Sequence, residues 1–302
     1  FSKLSEEVYQ ERKLHRHQEE AIRKVVEGEK NIVVATGTGS GKTETFFYPM
    51  LDALLKEDLK DADGIRAILI YPLNALANDQ LYSRLVPVLA KELEQFGITI
   101  GRFTGQTDSR KNREQLEAEL LTRDSIKDLF GEKISSNWLL SREDMLETPP
   151  NVLVTNYAML EHLLLLPQNR RLFDRCDLKF LALDEVHLYA GTQATEVALL
   201  LRKLRVKFAK GKDIRCIATS ASLGKDEKAK REVSRFASRL FGADFSQQDV
   251  VTSDRESHEL LSKGQSKDLL SAENWQDLHR LLKEVRNKGG EIEEAWNDHF
   301  SN

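Results

Sequence analysis

The sequence predicts an α/β fold, a mostly parallel sheet flanked by helices, and three observations carry that expectation. Short β-branched or apolar runs recur along the chain: NIVVAT (31–36), AILIYP (67–72), ITIGRFT (98–104), NVLVTN (151–156), FLALDE (180–185) and IRCIATSAS (214–222). Amphipathic segments such as FFYPMLDALLKEDL and NDQLYSRLVPVLAKELEQF lie between them, with apolar residues at helical spacing. Strand and helix therefore alternate, a pattern that wraps helices over a parallel sheet through right-handed crossovers and sets ligands at the carboxyl ends of the strands.

Composition bounds the rest. Over 302 residues, 40% hydrophobic and 31% charged content is that of an ordinary globular chain, long enough to bury a full core. A net charge of −4 and a pI near 6.1 exclude a polybasic coating arm, so contacts with nucleic acid would have to be local. The longest apolar stretches, LLLLP (163–167) and VALLL (197–201), are too short to span a bilayer, and no membrane partner is expected. The opening FSKLSEEVYQERK has no secretion-signal core, and Cys176 and Cys216 cannot build a disulfide framework. A cytoplasmic chain is expected, and its start at Phe1 suggests a piece of something larger.

Two regions depart from the alternation. Residues 107–148 are charged and helix-prone and read as a helical insertion within a domain covering 1–254. Residues 255–302 read as a helical extension, the start of a linker or accessory region, with Gly289 and Gly290 as a stop.

TGTGSGKT follows the first expected strand. Phosphate is held well by backbone N–H groups at a helix amino end, and close approach of the backbone needs small residues. Thr38, Gly39, Ser40 and Gly41 supply that loop, with Lys42 to reach the β and γ phosphates of ATP and Thr43 to hold Mg²⁺. One departure stands out: the usual spacing of such a P-loop has glycine where this chain has Thr36. A Mg²⁺ nucleotide also needs a strand-end carboxylate, and FLALDEVH offers Asp184 for the metal and Glu185 to orient and deprotonate water.

DEVH (184–187) after TGSGKT resembles the DEAD/DEAH-box pattern of superfamily 2 helicases and translocases, which implies a RecA-like P-loop NTPase domain. Further segments resemble that family's motifs in the family's order. Gln18 in LHRHQEEAI is similar to its adenine-contacting glutamine, although a glutamine on a helix surface is the plainer reading. YPLNALANDQ (71–80), RFTGQT (102–107) and TNYAMLEHLL (155–164) resemble motifs that lie along a nucleic-acid strand, which implies Pro72, Asn74, Thr104, Gly105, Thr155 and Asn156 as strand-binding residues. Small residues, Thr-Gly turns and asparagines at strand ends suit phosphate contacts that ignore base identity. TSAS (219–222) resembles the Ser-Ala-Thr coupling motif, with Ser222 in place of threonine, and implies Ser220 and Ser222 as coupling residues linked through His187 to the nucleotide site.

The phrasing between these motifs, including PPNVLVTNYAMLEHLLL and LDEVHLYAGTQATEVALLLRKL, looks like the branch of large bacterial DNA helicases of the MrfA/YprA type and of phage-defence systems such as DISARM and Druantia. That resemblance implies 3′-to-5′ movement on DNA in phage defence or DNA repair, with defence-system proteins as further partners; the backbone-tracking motifs do not separate DNA from RNA. It also implies a second RecA-like domain, which no run of strands after residue 225 supplies here, and full ATP hydrolysis would need it. The rival expectation is an ATP-loaded switch or recruitment module that binds nucleic acid without unwinding. The remaining histidines form no metal-ligand spacing, so ATP and Mg²⁺ are the cofactors expected.

Overall fold

The computed structural model describes residues 14–37, 39–57, 64–74, 77–78, 81–86, 96–108, 110–209, 212–221 and 226–252. The chain divides into two units at 253/254; the first carries every described element, and the expected extension at 255–302 lies outside the described residues.

Among the described residues eight parallel strands form one sheet: β1 (Ile32–Ala35), β2 (Ala67–Tyr71), β3 (Ile100–Arg102), β4 (Trp138–Leu139), β5 (Val152–Asn156), β6 (Phe180–Leu183), β7 (Arg215–Ser220) and β8 (Val250–Thr252), in the order β4-β3-β5-β2-β6-β7-β1-β8. Strands covered on both faces are apolar throughout, and β1, β2 and β6 are buried at every position. Period-two alternation divides their side chains between two cores: Ile32, Val34, Leu69 and Val154 pack on one face, Val33, Ile68, Ile70 and Leu153 on the other.

Six of these strands fall within the six runs read from the sequence. β4 and β8 do not. Each is a short edge strand of two or three residues, too brief for periodicity to register, and β8 pairs on the outer side of β1. β4 lies inside the segment expected to be helical: between β3 and β5 the chain forms α3 (Arg113–Leu120), α4 (Asp124–Phe130), then β4, then α5 (Arg142–Glu147).

The register sets which strand ends are neighbours. Ala35 of β1 pairs with Ser220 of β7, and Leu183 of β6 with Ala218 of β7, so the segments after β1, β6 and β7 emerge side by side. On the other side of β6, Tyr71 of β2 pairs with Asn156 of β5, and Arg102 of β3 with Val154 of β5. The carboxyl edge is therefore partitioned: the expected phosphate, metal and coupling residues lie at the ends of β1, β6 and β7, and the expected strand-binding residues at the ends of β2, β3 and β5. Among the described residues no helix is long and apolar enough to cross a membrane.

Candidate nucleotide and nucleic-acid site

The loop after β1 turns into α2 (Lys42–Leu55) through two glycines in the left-handed region, Gly39 at φ 76° and Gly41 at φ 77°. A side chain at Gly41 would also collide with Gln18, whose Nε2 would lie 2.2 Å from the added Cβ. Position 36, where glycine was expected, holds a fully buried threonine whose hydroxyl lies 2.6 Å from that of Ser40 and ties the loop across its base. Thr38 lies outside the described residues.

The amino end of α1 (Arg16–Val26) grips this loop from the side. Gln18 Nε2 donates to the Gly41 carbonyl at 3.0 Å, while its Oε1 accepts from the His15 amide at 2.8 Å. His17, unmarked in the sequence reading, places Nε2 2.9 Å from the Ser40 carbonyl. Burial holds its imidazole below the ordinary histidine range, against the pull of the Ser40 bond and of Glu44 and Glu20, and nearby His15 adds to the lowering. His15 stacks on it, ring centroids 5.6 Å apart.

Lys42 and the DEVH segment meet across β7. Lys42 Nζ donates to Glu185 Oε1 at 2.8 Å and to the Ser220 carbonyl at 3.3 Å. Glu185 sits at φ 50°, a left-handed backbone rare for a residue with a side chain. Its amide donates to Thr219 Oγ1 at 3.1 Å, and the Thr219 hydroxyl in turn donates to Asp184 Oδ1. Burial raises the Asp184 carboxyl above its ordinary value and the neighbouring Glu185 charge adds to this, while Thr219 and Lys42 pull the other way. Thr219 is the second residue that the sequence reading passed over; only the β6–β7 register places it opposite the acidic pair.

His187 Nδ1 accepts from the Ala221 amide at 3.2 Å and lies 3.3 Å from Ser220 Oγ, so the structure brings these residues together. Ser222 lies outside the described residues. Glu185 Oε2 is buried and accepts no hydrogen bond among the described residues; His187 Nδ1, 3.2 Å away, already accepts from the Ala221 amide. Thr43 is buried beside Lys42 at the first turn of α2.

Along the other half of the edge, Asn156 Nδ2 donates to Asn74 Oδ1 at 2.5 Å and its Oδ1 caps α6 (Tyr157–Leu165) by accepting from Met159 N at 2.8 Å. Pro72 and Asn74 are half-buried in the bend after β2, and Gly105 is exposed with open space around it. Two expected strand contacts face inward instead. Thr155 and Thr104 are fully buried. Thr155 Oγ1 donates to the Phe103 carbonyl at 2.6 Å, and Thr104 Oγ1 accepts from the Gln106 amide at 3.3 Å, so these hydroxyls shape the turn from within. A hydroxyl hydrogen-bonded inside the fold leaves any outward contact to its neighbours.

The family described as DEAD/DEAH box helicase matches residues 15–230. The Druantia protein DruE of Escherichia coli (strain UMEA 4076-1) is 32% identical over 314 residues, covering 76% of this chain and 17% of that protein. The ATP-dependent helicase YprA of Bacillus subtilis (strain 168) is 27% identical over 231 residues, covering 75% of this chain and 25% of that protein. A solved structure of the DUF1998 helicase MrfA bound to DNA superposes with a TM-score of 0.55 at 23% identity, over 83% of this chain and 29% of that one, a likeness of fold. The chain thus spans a quarter or less of these two relatives.

Proposed function

The chain belongs to the DEAD/DEAH box helicase family, being of the MrfA/YprA/Druantia type, and from that premise we propose that it is the first RecA-like half of an ATP-driven motor that moves along DNA. One observation carries the reading: Lys42 at the head of α2 lies 2.8 Å from Glu185, so the phosphate loop and the acidic strand end form a single site.

The residues fit a magnesium nucleotide. Left-handed glycines leave the loop amides free of side chains, and the half-buried Asp184 and the buried Glu185 Oε2 provide the acidic wall. In this reading Lys42 and the amides of 38–43 hold the phosphates, Thr43 and Asp184 hold Mg²⁺, and Gln18 reads the adenine. The ion, when bound, neutralises phosphate charge. Glu185 orients the attacking water and takes its proton. Because Lys42 and Glu185 hold each other, phosphate binding by one and proton uptake by the other are coupled. His187 passes that change to Ser220 and Ser222.

Asn74, Pro72, Gly105 and Asn156, with the backbone at Thr104 and Thr155, track one strand through its phosphates. Residues 1–254 form the motor half, with the segment 107–148 inserted, and 255–302 lead toward accessory parts. A second RecA-like domain of the full-length protein completes the ATP site, and without it hydrolysis is slow. The cytoplasmic setting, 3′-to-5′ polarity, and a role in phage defence or repair beside other defence proteins rest on the resemblance to the MrfA/YprA and Druantia branch.

The test is ATP hydrolysis by the full-length protein with and without single-stranded DNA, RNA run alongside, followed by strand displacement. DNA-stimulated turnover with unwinding is the expected result. Stimulation by RNA alone would move the substrate to RNA, and nucleotide binding with neither unwinding nor translocation would favour the switch.

A further inference from the structure

β3 and the segment that follows it bring two guanidinium groups onto one aromatic ring. Arg102, at the end of β3, has its Cζ 6.0 Å from the centroid of Tyr82, and Arg123, at the head of α4, lies 5.1 Å from the same centroid. Trp138 of β4 meets that ring edge-on at 5.8 Å. These residues line a cavity of about 160 Å³ together with Gln106, Lys111 and Glu119.

Its charges do not balance locally. Glu119 pairs with Lys111 at 2.5 Å, and Asp108 accepts from the amides of Arg110 and Lys111. Among the described residues no carboxylate pairs with Arg102 or Arg123. The Arg102 side chain donates to Asn78 Oδ1, one bond from a group with five N–H donors. Burial, with the charge of Arg123 adding to it, holds the Arg102 guanidinium below its ordinary value, against the opposing influence of Tyr82. Two like charges over one ring, one of them half-buried and the other exposed, are relieved by an anion.

Position says which anion. Asn78, which accepts from Arg102, donates through Nδ2 to Gln106 Oε1 at 2.8 Å, and Gln106 adjoins the exposed Gly105 in the turn assigned to the strand. Both guanidiniums lie over the Tyr82 ring and Trp138 meets it edge-on, so the cavity offers N–H donors in place of a bare aromatic face for a base. We propose that Arg102 and Arg123 over Tyr82 form a phosphate site that carries the nucleic-acid track outward onto the segment between β3 and β5. The site rests on the functional reading above and gives that segment a task within it.

The experiment is binding of fluorescent single-stranded DNA to the full-length protein across a salt series, for wild type, Arg102→Gln, Arg123→Gln and Arg123→Lys. Each lost phosphate contact lowers the slope of log affinity against log salt by about 0.7. A drop of that size in both Gln variants, with several-fold weaker binding at low salt and the slope kept in Arg123→Lys, is expected. Arg123 is exposed, so its variants keep the fold and carry the result even where Arg102→Gln melts early. Wild-type binding with slopes unchanged in both Gln variants would overturn the site alone. A wild type that binds no strand would overturn the functional reading, and the site with it.

Discussion

Lys42 Nζ and Glu185 Oε1 are 2.8 Å apart, joining a loop and a strand end separated by 143 positions in sequence. The pair fixes the carboxylate that the proposed reaction uses as its base. Glu185→Gln keeps the shape and an acceptor for Lys42 but removes the basicity, so the expected outcome is nucleotide binding retained and turnover reduced by about 10²–10⁴. Steady-state ATPase set beside nucleotide-binding titration checks this, and undiminished turnover would exclude Glu185 as the base.

Gly41 is held by both its backbone angle and its neighbour. Alanine there adopts a left-handed conformation at a cost of about 1–2 kcal/mol, and its methyl displaces the Gln18 amide, 2.2 Å from the added carbon. Gly41→Ala is therefore expected to lower the melting temperature and abolish nucleotide binding. Gln18→Ala in the same chain relieves the collision and leaves the angle, so the double variant should recover part of the stability. Equal melting of Gly41→Ala and the double variant would show that the collision contributes nothing.

Thr219 links both acidic residues, accepting a hydrogen bond from the Glu185 amide and donating one to Asp184. Thr219→Val leaves the half-buried Glu185 N–H and Asp184 carboxylate short of a partner, a loss of about 1 kcal/mol or more. Turnover should fall with nucleotide affinity largely kept, and Thr219→Ser should restore it. Failure of serine to rescue would point to packing of the methyl group in place of the hydroxyl.

What the sequence showed and hid follows from the range of each signal. The six inner strands were legible because burial on both faces makes them continuous apolar runs, and TGTGSGKT and DEVH because their chemistry is local. β4 and β8 were hidden by brevity. Thr219 and His17 were hidden because their roles depend on register and on the docking of α1, relations between distant segments that no window contains. Thr104 and Thr155 were named for hydroxyls that the fold turns inward, since a Thr-Gly turn reads the same whichever way its side chain faces.

His17 is expected to make the stability of the fold depend on pH. Burial holds its folded-state pKa below the ordinary 6.5, while Glu44 and Glu20 pull upward and His15 downward. Between the lowered folded value and 6.5 the unfolded chain binds more protons than the folded one, so stability falls as pH drops through that window and is fully present above it. His17→Asn keeps a donor within reach of the Ser40 carbonyl and removes the titration. Melting temperatures of both proteins between about pH 8 and about pH 5 check this. The wild type should lose stability relative to the variant as the solution is acidified, and a difference that stays constant across the series would show that His17 titrates in the fold as it does in the unfolded chain.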